Sequence, residues 1–287
     1  MDYPAGGTVH GYMPRKKYTA ILFAVIAIGW VYNFLQVAAL TPGMSLSQFG
    51  PGMNTLAFLN SQPPTAMSSL ISSLPLCSNF GLSWTVESVS GSILMWFGMV
   101  LAMMVPTLLS PSILHPVDIK RFIMFLFGYV CIWLVFCIIG VAIQWGLQAY
   151  GVLGASLSIN NSSVSAALFF MIGGVQLSKP KLASLPCWPE LSKFTQTKLA
   201  SFSDDFRAGL NRGGVCGYRC LPLMSVMFVF GLMNLVAMAF LTIIIYLMAN
   251  ATTGWVARVT GIASIVYGML FLGLRYELLE SLHLIFL

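Results

Sequence analysis

From 122 to 145 the chain carries not one charged side chain, and comparable stretches recur along its length. Nothing else in the sequence constrains the fold as strongly. A run of about 20 apolar residues is long enough to cross the hydrocarbon core of a bilayer. Inside lipid each backbone N–H and C=O needs a partner within its own segment, which makes such a run helical. Six apolar segments emerge: 18–40, 89–109, 122–145, 164–177, 221–249 and 255–274, of which the fourth, at 14 residues, is short of that length and would need tilt, shielding by its neighbours or extension into Ser178. Composition agrees, since only 8% of residues are charged and 58% are hydrophobic. A soluble domain has roughly 25% charged residues, and this chain has too few to cover a water-facing surface. The expected fold class is all-α: a polytopic membrane helix bundle of six transmembrane helices, one integral membrane domain over 1–287.

The basic residues then suggest an orientation. Arg15, Lys16 and Lys17 precede the first segment, and Lys120 and Arg121 join the second to the third. Lys179, Lys181, Lys193, Lys198, Arg207, Arg212 and Arg219 lie between the fourth and fifth, and Arg275 follows the sixth. With six spans all of these fall on one side, and only Arg258 does not. The positive-inside rule makes that side cytoplasmic, with both termini on it and the cell membrane as the location. The net charge of +6 therefore records orientation rather than a nucleic-acid partner. The first apolar run is longer than the roughly 7–15 residues of a signal-peptide core, and it reads as an uncleaved first span. The outer loops, 41–88 and 146–163 with a short turn near Asn250, hold the sequons at Asn160, Asn161 and Asn250. The long loop 41–88 is expected to pack on the spans or on a partner subunit, because a structureless loop of that size is unusual. In the inner loop 178–220, Leu191, Phe194, Leu199, Phe202, Phe206 and Leu210 recur at helix-like intervals with Lys193, Lys198 and Arg207 between them. That pattern predicts an amphipathic segment on the inner leaflet between the fourth and fifth helices.

Few residues can carry chemistry. His10, His115 and His283 are the only histidines, and no pair of them has ligand spacing. No metalloprotease, nucleophile-elbow, phosphate-loop or dinucleotide motif is present, so no catalytic activity is expected of the chain alone. The spans hold essentially no acidic groups, whereas a proton-relay carrier places ionisable groups inside them. Sulfur remains. Cys216 and Cys220 are spaced i, i+4 and share a helix face, and Met224 and Met227 continue the stripe. Thiolates and thioethers select Cu(I), and thiolates also take Zn. Arg212 and Arg219 nearby would favour the thiolate. Cys187, on the same side, is a candidate third ligand, so the candidate metal set is Cys187, Cys216, Cys220 and Met224. Buried cysteine and methionine also serve as plain packing residues. On that reading Cys131 and Cys137, six apart, are filler, and Met95, Met99 and Met103 with Met104 form a packing stripe or face the fifth segment. If Gly217 broke the helix, the four-residue cysteine spacing would lose its meaning, and Pro222 would mark the start of regular helix.

Three stretches carry a family likeness. In MWFGMVLAMMVPTLL, Trp96, Met99, Ala102, Met103, Met104 and Pro106 match a W-x-x-M-x-x-A-M-M-x-P span. In GVQLSKPKLASLPC, Gln176, Leu177, Ser178, Lys181 and Cys187 match a second motif. Gly209, Leu210, Gly213, Cys216, Cys220, Gly231, Met233, Asn234, Leu235 and Met238 match a third. The sequence thus resembles the bacterial and archaeal predicted metal-binding integral membrane proteins, a family sometimes labelled cytochrome c oxidase subunit-like. The likeness covers about 91–274. Two thiols of the family pattern are absent: Ala183 and Ser184 stand where a cysteine precedes Cys187, and Arg219 stands where adjacent cysteines are common. The resemblance implies a soft-metal role. The expectation is an accessory, non-catalytic subunit of a membrane oxidase or monooxygenase-type complex, embedded in the lipid bilayer beside other membrane subunits, with a copper-like site. The alternatives are an autonomous metal-handling membrane protein and a permease for a neutral solute, for which Asn234, Gln144 and Gln176 would supply the polar path.

Overall fold

The computed structural model describes residues 15–40, 45–60, 85–109, 119–154, 157–178, 201–251 and 254–285. Among them the chain is all-α, with no strand beyond one isolated bridge between Leu153 and Ile159. Seven helices exceed ten residues: α1 (Arg15–Leu40), α2 (Val86–Met104), α3 (Ile119–Ala149), α4 (Ser162–Ser178), α5 (Phe202–Met224), α6 (Leu235–Asn250) and α7 (Trp255–Ile285). Short 3-10 turns cover Leu46–Phe49, Met53–Asn60 and Val105–Leu109. Five helical stretches are long and apolar enough to cross a membrane, and α4 and α6 are shorter apolar helices.

The largest difference from the sequence reading lies in 202–250. The apolar run 221–249 is not one helix. It is divided by a turn at Ser225 and Val226, a short helical piece Met227–Phe230, and Gly231 at φ +98. Asn234 then caps α6, accepting from Ala237 N at 2.9 Å and donating to the carbonyls of Pro51 and Phe230. A positive φ is open to glycine at little cost, and asparagine is among the best N-caps; together they reverse the chain. Upstream, α5 begins at Ser201, where a capping box with Asp204 satisfies the first N–H groups. It continues without interruption through Gly217. Pro222 therefore sits in the last turn of α5 rather than at a helix start.

Contacts give the direction of each helix. Arg121 at the start of α3 pairs with Asp205 at the start of α5, and Gly217 further along α5 lies against Phe136, so these two helices run parallel. The Tyr18 ring lies 4.9 Å from that of Phe122, placing the start of α1 at this same basic end. The far end of α5 meets the opposite end of the bundle, where Ile159 N donates to Phe228 O. From there α6 returns and packs against the Val105–Leu109 turn. Antiparallel α4 and α7 close the fold, with Gly261 against Gln176 and Leu177, and Gly268 against Ala166 and Phe170. Seven alternating helices place Arg15 and the end of α7 at opposite ends, where six segments would have put both at one. Arg258 thereby joins the basic end and Arg275 leaves it. Asn250 also moves to the basic end, away from Asn160 and Asn161. The stretch 202–220, expected on the inner leaflet, packs one face into the bundle, with Asp205 and Arg212 buried, and leaves Phe202, Val215 and Tyr218 exposed on the other. The remainder of that segment, 179–200, lies outside the described residues.

Candidate metal centre

Glycine spacing sets the position of the site. On α5, Gly209, Gly213 and Gly217 recur every fourth residue and face α3. A Cβ on Gly209 would collide with the carbonyl oxygen of Phe125, and one on Gly128 of α3 with that of Phe206. The two backbones thus touch, as small-residue seams between apolar helices allow. The cysteines flank this seam. Cys216 lies fourteen residues into α5, about 21 Å along the axis, well inside the bundle rather than at its rim.

Because α5 is continuous, Cys216 and Cys220 do share one face, and their Sγ atoms are 3.8 Å apart. Both are 3% exposed, and Met224, one turn further, is buried as well. The separation bears on metal geometry. With metal–thiolate bonds of about 2.3 Å, tetrahedral ligands lie about 3.8 Å apart, whereas a linear pair would lie about 4.6 Å apart. The two sulfurs therefore fit two corners of a site with three or four donors, without rotamer change. Cu(I) or Zn would suit such donors.

Two hydroxyls surround Cys216. Tyr129 of α3 places its OH 3.7 Å from the Cys216 sulfur and donates to the Met104 carbonyl at 3.0 Å. Thr107 donates to the same carbonyl at 2.6 Å, with its Oγ1 3.8 Å from Cys216 and 3.4 Å from the Tyr129 oxygen. One carbonyl at the end of α2 thus anchors both hydroxyls, and they meet the thiol together on one side. Neither residue stood out in the sequence. Thr107 follows Pro106 in a 3-10 turn, and Tyr129 sits in an uncharged run; only the fold brings them to Cys216. Asp205 was also missed. It is fully buried and receives Arg121 through Nε at 3.0 Å and Nη2 at 2.9 Å. Its local setting is the first turn of α5, four residues after the Ser201 cap and two before Arg207.

Of the four candidate ligands, Cys216 and Cys220 come together and Met224 continues their stripe, while Cys187 lies outside the described residues. Among the described residues no third His, Cys, Asp or Glu completes a metal-sized group with the pair. Cys131 is half-buried and Cys137 fully buried in α3. Two of the three residues proposed for a polar solute path have structural partners. Gln144 accepts from the Trp96 indole N–H at 2.8 Å, and Asn234 caps α6. An apolar cavity of about 310 Å³ lies elsewhere, between Leu223, Phe240, Thr260 and Tyr267. The Thr260 and Ser264 hydroxyls donate to carbonyls of their own helix, so they offer that cavity no free donor.

Comparison with known proteins adds one finding. No curated protein and no solved structure matches the chain. A family model described as PpoB2, copper chaperone, matches residues 93–271, a stretch that includes α3 to α6 whole, the Val105–Leu109 turn, most of α2 and α7, and both cysteines of the pair. That match spans more than half of the sequence, and the chain belongs to the PpoB2 copper chaperone family.

Proposed function

We propose that the protein is a membrane-embedded Cu(I) chaperone that holds its cargo at Cys216 and Cys220 and hands it to a copper-dependent membrane oxidase or monooxygenase. The observation that carries this reading is the buried thiol pair at 3.8 Å, inside the stretch matched by a copper chaperone family. Met224 is the next thioether along the stripe and Cys187 a further thiol of the chain; each is a candidate third donor. Thiolates and thioethers favour Cu(I) over harder ions. Copper stays Cu(I) throughout, and release is a ligand exchange onto the partner's own donors.

Bilayer residence is supported by the outward faces of the helices, which present Phe23, Ile28, Phe127, Ile138, Phe240 and Met269 to the surroundings. In water such surface would associate. The basic end, with Lys120, Arg121 and Arg258, is taken as cytoplasmic by the positive-inside rule, and the end of α7 then faces outward. An accessory-subunit role is compatible with this: a chaperone docked on its client oxidase is both.

Anaerobic Cu(I) titration of the purified protein in detergent, against a competing chelator, tests the site. The wild-type chain is expected to retain Cu(I). Cys216→Ser and Cys220→Ser are each expected to weaken retention by more than about tenfold, since a direct ligand counts for at least as much as an outer-shell partner. Unchanged stoichiometry and affinity in the double variant would sink the reading.

A further inference from the structure

Two tie points bracket a seam between α2, α3 and α5. At the first, Tyr129 of α3 bonds to the Met104 carbonyl at the end of α2 and touches Cys216 of α5. At the second, nearer the opposite end, the Trp96 indole of α2 bonds to Gln144 of α3 and its ring meets Phe228 just beyond α5, centroids 5.7 Å apart. The residues between these points on each helix are therefore confined to the interval between them. On α2, Met99 and Met103 follow Trp96 at i+3 and i+7, on its face of the helix. On α3 the buried cysteine of the interval is Cys137, on α5 the interval holds Cys220 and Met224, and Met227 follows in the short helical piece beyond α5. Every one of these six sulfurs belongs to a buried residue. The α2 face turned to α1 is different: Gly98, Leu101 and Ala102 pack on Gly29 there. Small residues thus make the helix contact, and methionines take the other side.

Trp133 supplies an independent observation. It lies in the same interval on α3, one turn from Tyr129 and one from Cys137, and is fully buried. Its indole N–H has no hydrogen-bond partner among the described residues. A buried donor left unmade is costly, and a seam selected for packing alone would favour a phenylalanine. An indole face also attracts a cation.

We infer that this seam is a sulfur-lined conduit that carries Cu(I) from the Cys216–Cys220 pair toward the Trp96 end of the bundle. The inference rests on the copper reading of the pair. Its chemistry is stepwise exchange of a soft ion between thiolate and neutral thioether donors, about one helical turn, or 5.4 Å, per step. No electron moves and no bond other than metal–sulfur forms or breaks. Neutral donors suit the interior because they place no further charge there, and Met side chains adjust readily to a moving ligand. The protein would then move copper across the bundle as well as hold it.

The test uses the full chain reconstituted in phosphatidylcholine vesicles with a Cu(I)-selective fluorescent chelator inside, and Cu(I) supplied outside as its acetonitrile complex. Wild type is expected to deliver copper to the chelator faster than protein-free vesicles. The Met99→Leu/Met103→Leu variant, a volume-conserving change that cores tolerate, is expected to slow delivery by about tenfold, the lower end of what losing a metal-site partner costs. Its copper titration in detergent should remain that of wild type. Cys137→Ala, a second variant that does not touch α2, is expected to slow delivery in the same direction. Delivery at the wild-type rate in both variants would overturn the conduit while leaving the cysteine site standing, as would a wild type that binds copper at the pair but never reaches the chelator. Loss of neither binding nor delivery in Cys216→Ser/Cys220→Ser would instead overturn the site itself.

Discussion

Gly209 and Gly214 lie five residues apart on α5, and alanine should act on them with opposite sign. At Gly214 nothing stands within 4 Å of a new Cβ. Alanine there removes backbone freedom from the unfolded chain and is expected to stabilise by about 1 kcal/mol. At Gly209 the same methyl would run into the Phe125 carbonyl and stand 2.9 Å from Tyr129 N, both backbone atoms of α3. Ordinary contact distance is about 3.5–4.0 Å, so α3 and α5 must separate by roughly 1 Å. Overpacking of this kind costs about 1–3 kcal/mol, which outweighs the propensity gain over most of that range. The melting temperatures of the two variants should therefore separate by roughly 2–4 °C for each kcal/mol of difference, Gly214→Ala being the higher. Thermal unfolding in detergent, followed by circular dichroism, measures this. Because Tyr129 moves with α3, Gly209→Ala should also loosen its 3.7 Å contact to Cys216 and weaken Cu(I) retention. A Gly209→Ala protein that melts at or above Gly214→Ala would refute the backbone contact, and with it the placement of the thiol pair beside Tyr129.

Two further outcomes follow from the same geometry. X-ray absorption of the Cu(I)-loaded protein should show three or more sulfur donors near about 2.3 Å, because the pair spaced at 3.8 Å is bent; a linear two-sulfur spectrum would contradict it. Asp205→Asn should destabilise the bundle by about 3 kcal/mol, the lower end for breaking a buried ion pair, since Arg121 keeps 18% of its side chain exposed. A chemical-denaturation midpoint equal to wild type would show that this pair holds nothing.

How much could be read beforehand differs by element. The segments 18–40, 89–109, 122–145, 164–177 and 255–274 each overlap one helix, because an uncharged run of that length has few other solutions. The run 221–249 misled for a definite reason. Hydropathy does not register a chain reversal made by Gly231 and an Asn234 cap, since neither interrupts apolar character for long. One missed reversal inverted α7 and moved Arg258, Arg275 and Asn250 to the ends opposite those expected.

Sequence alone determined that the chain is helical, that it is too poor in charge for an ordinary water-facing surface, and that Cys216 and Cys220 would share a face if the helix held. These are local properties, fixed by composition and by a 3.6-residue period. Only the tertiary structure decided that the helix does hold through Gly217, because its glycines are contact points with α3 rather than breaks. It also decided which groups surround the thiols. Thr107 and Tyr129 lie 109 and 87 residues from Cys216, and no local pattern encodes a meeting that depends on three helices crossing at one level.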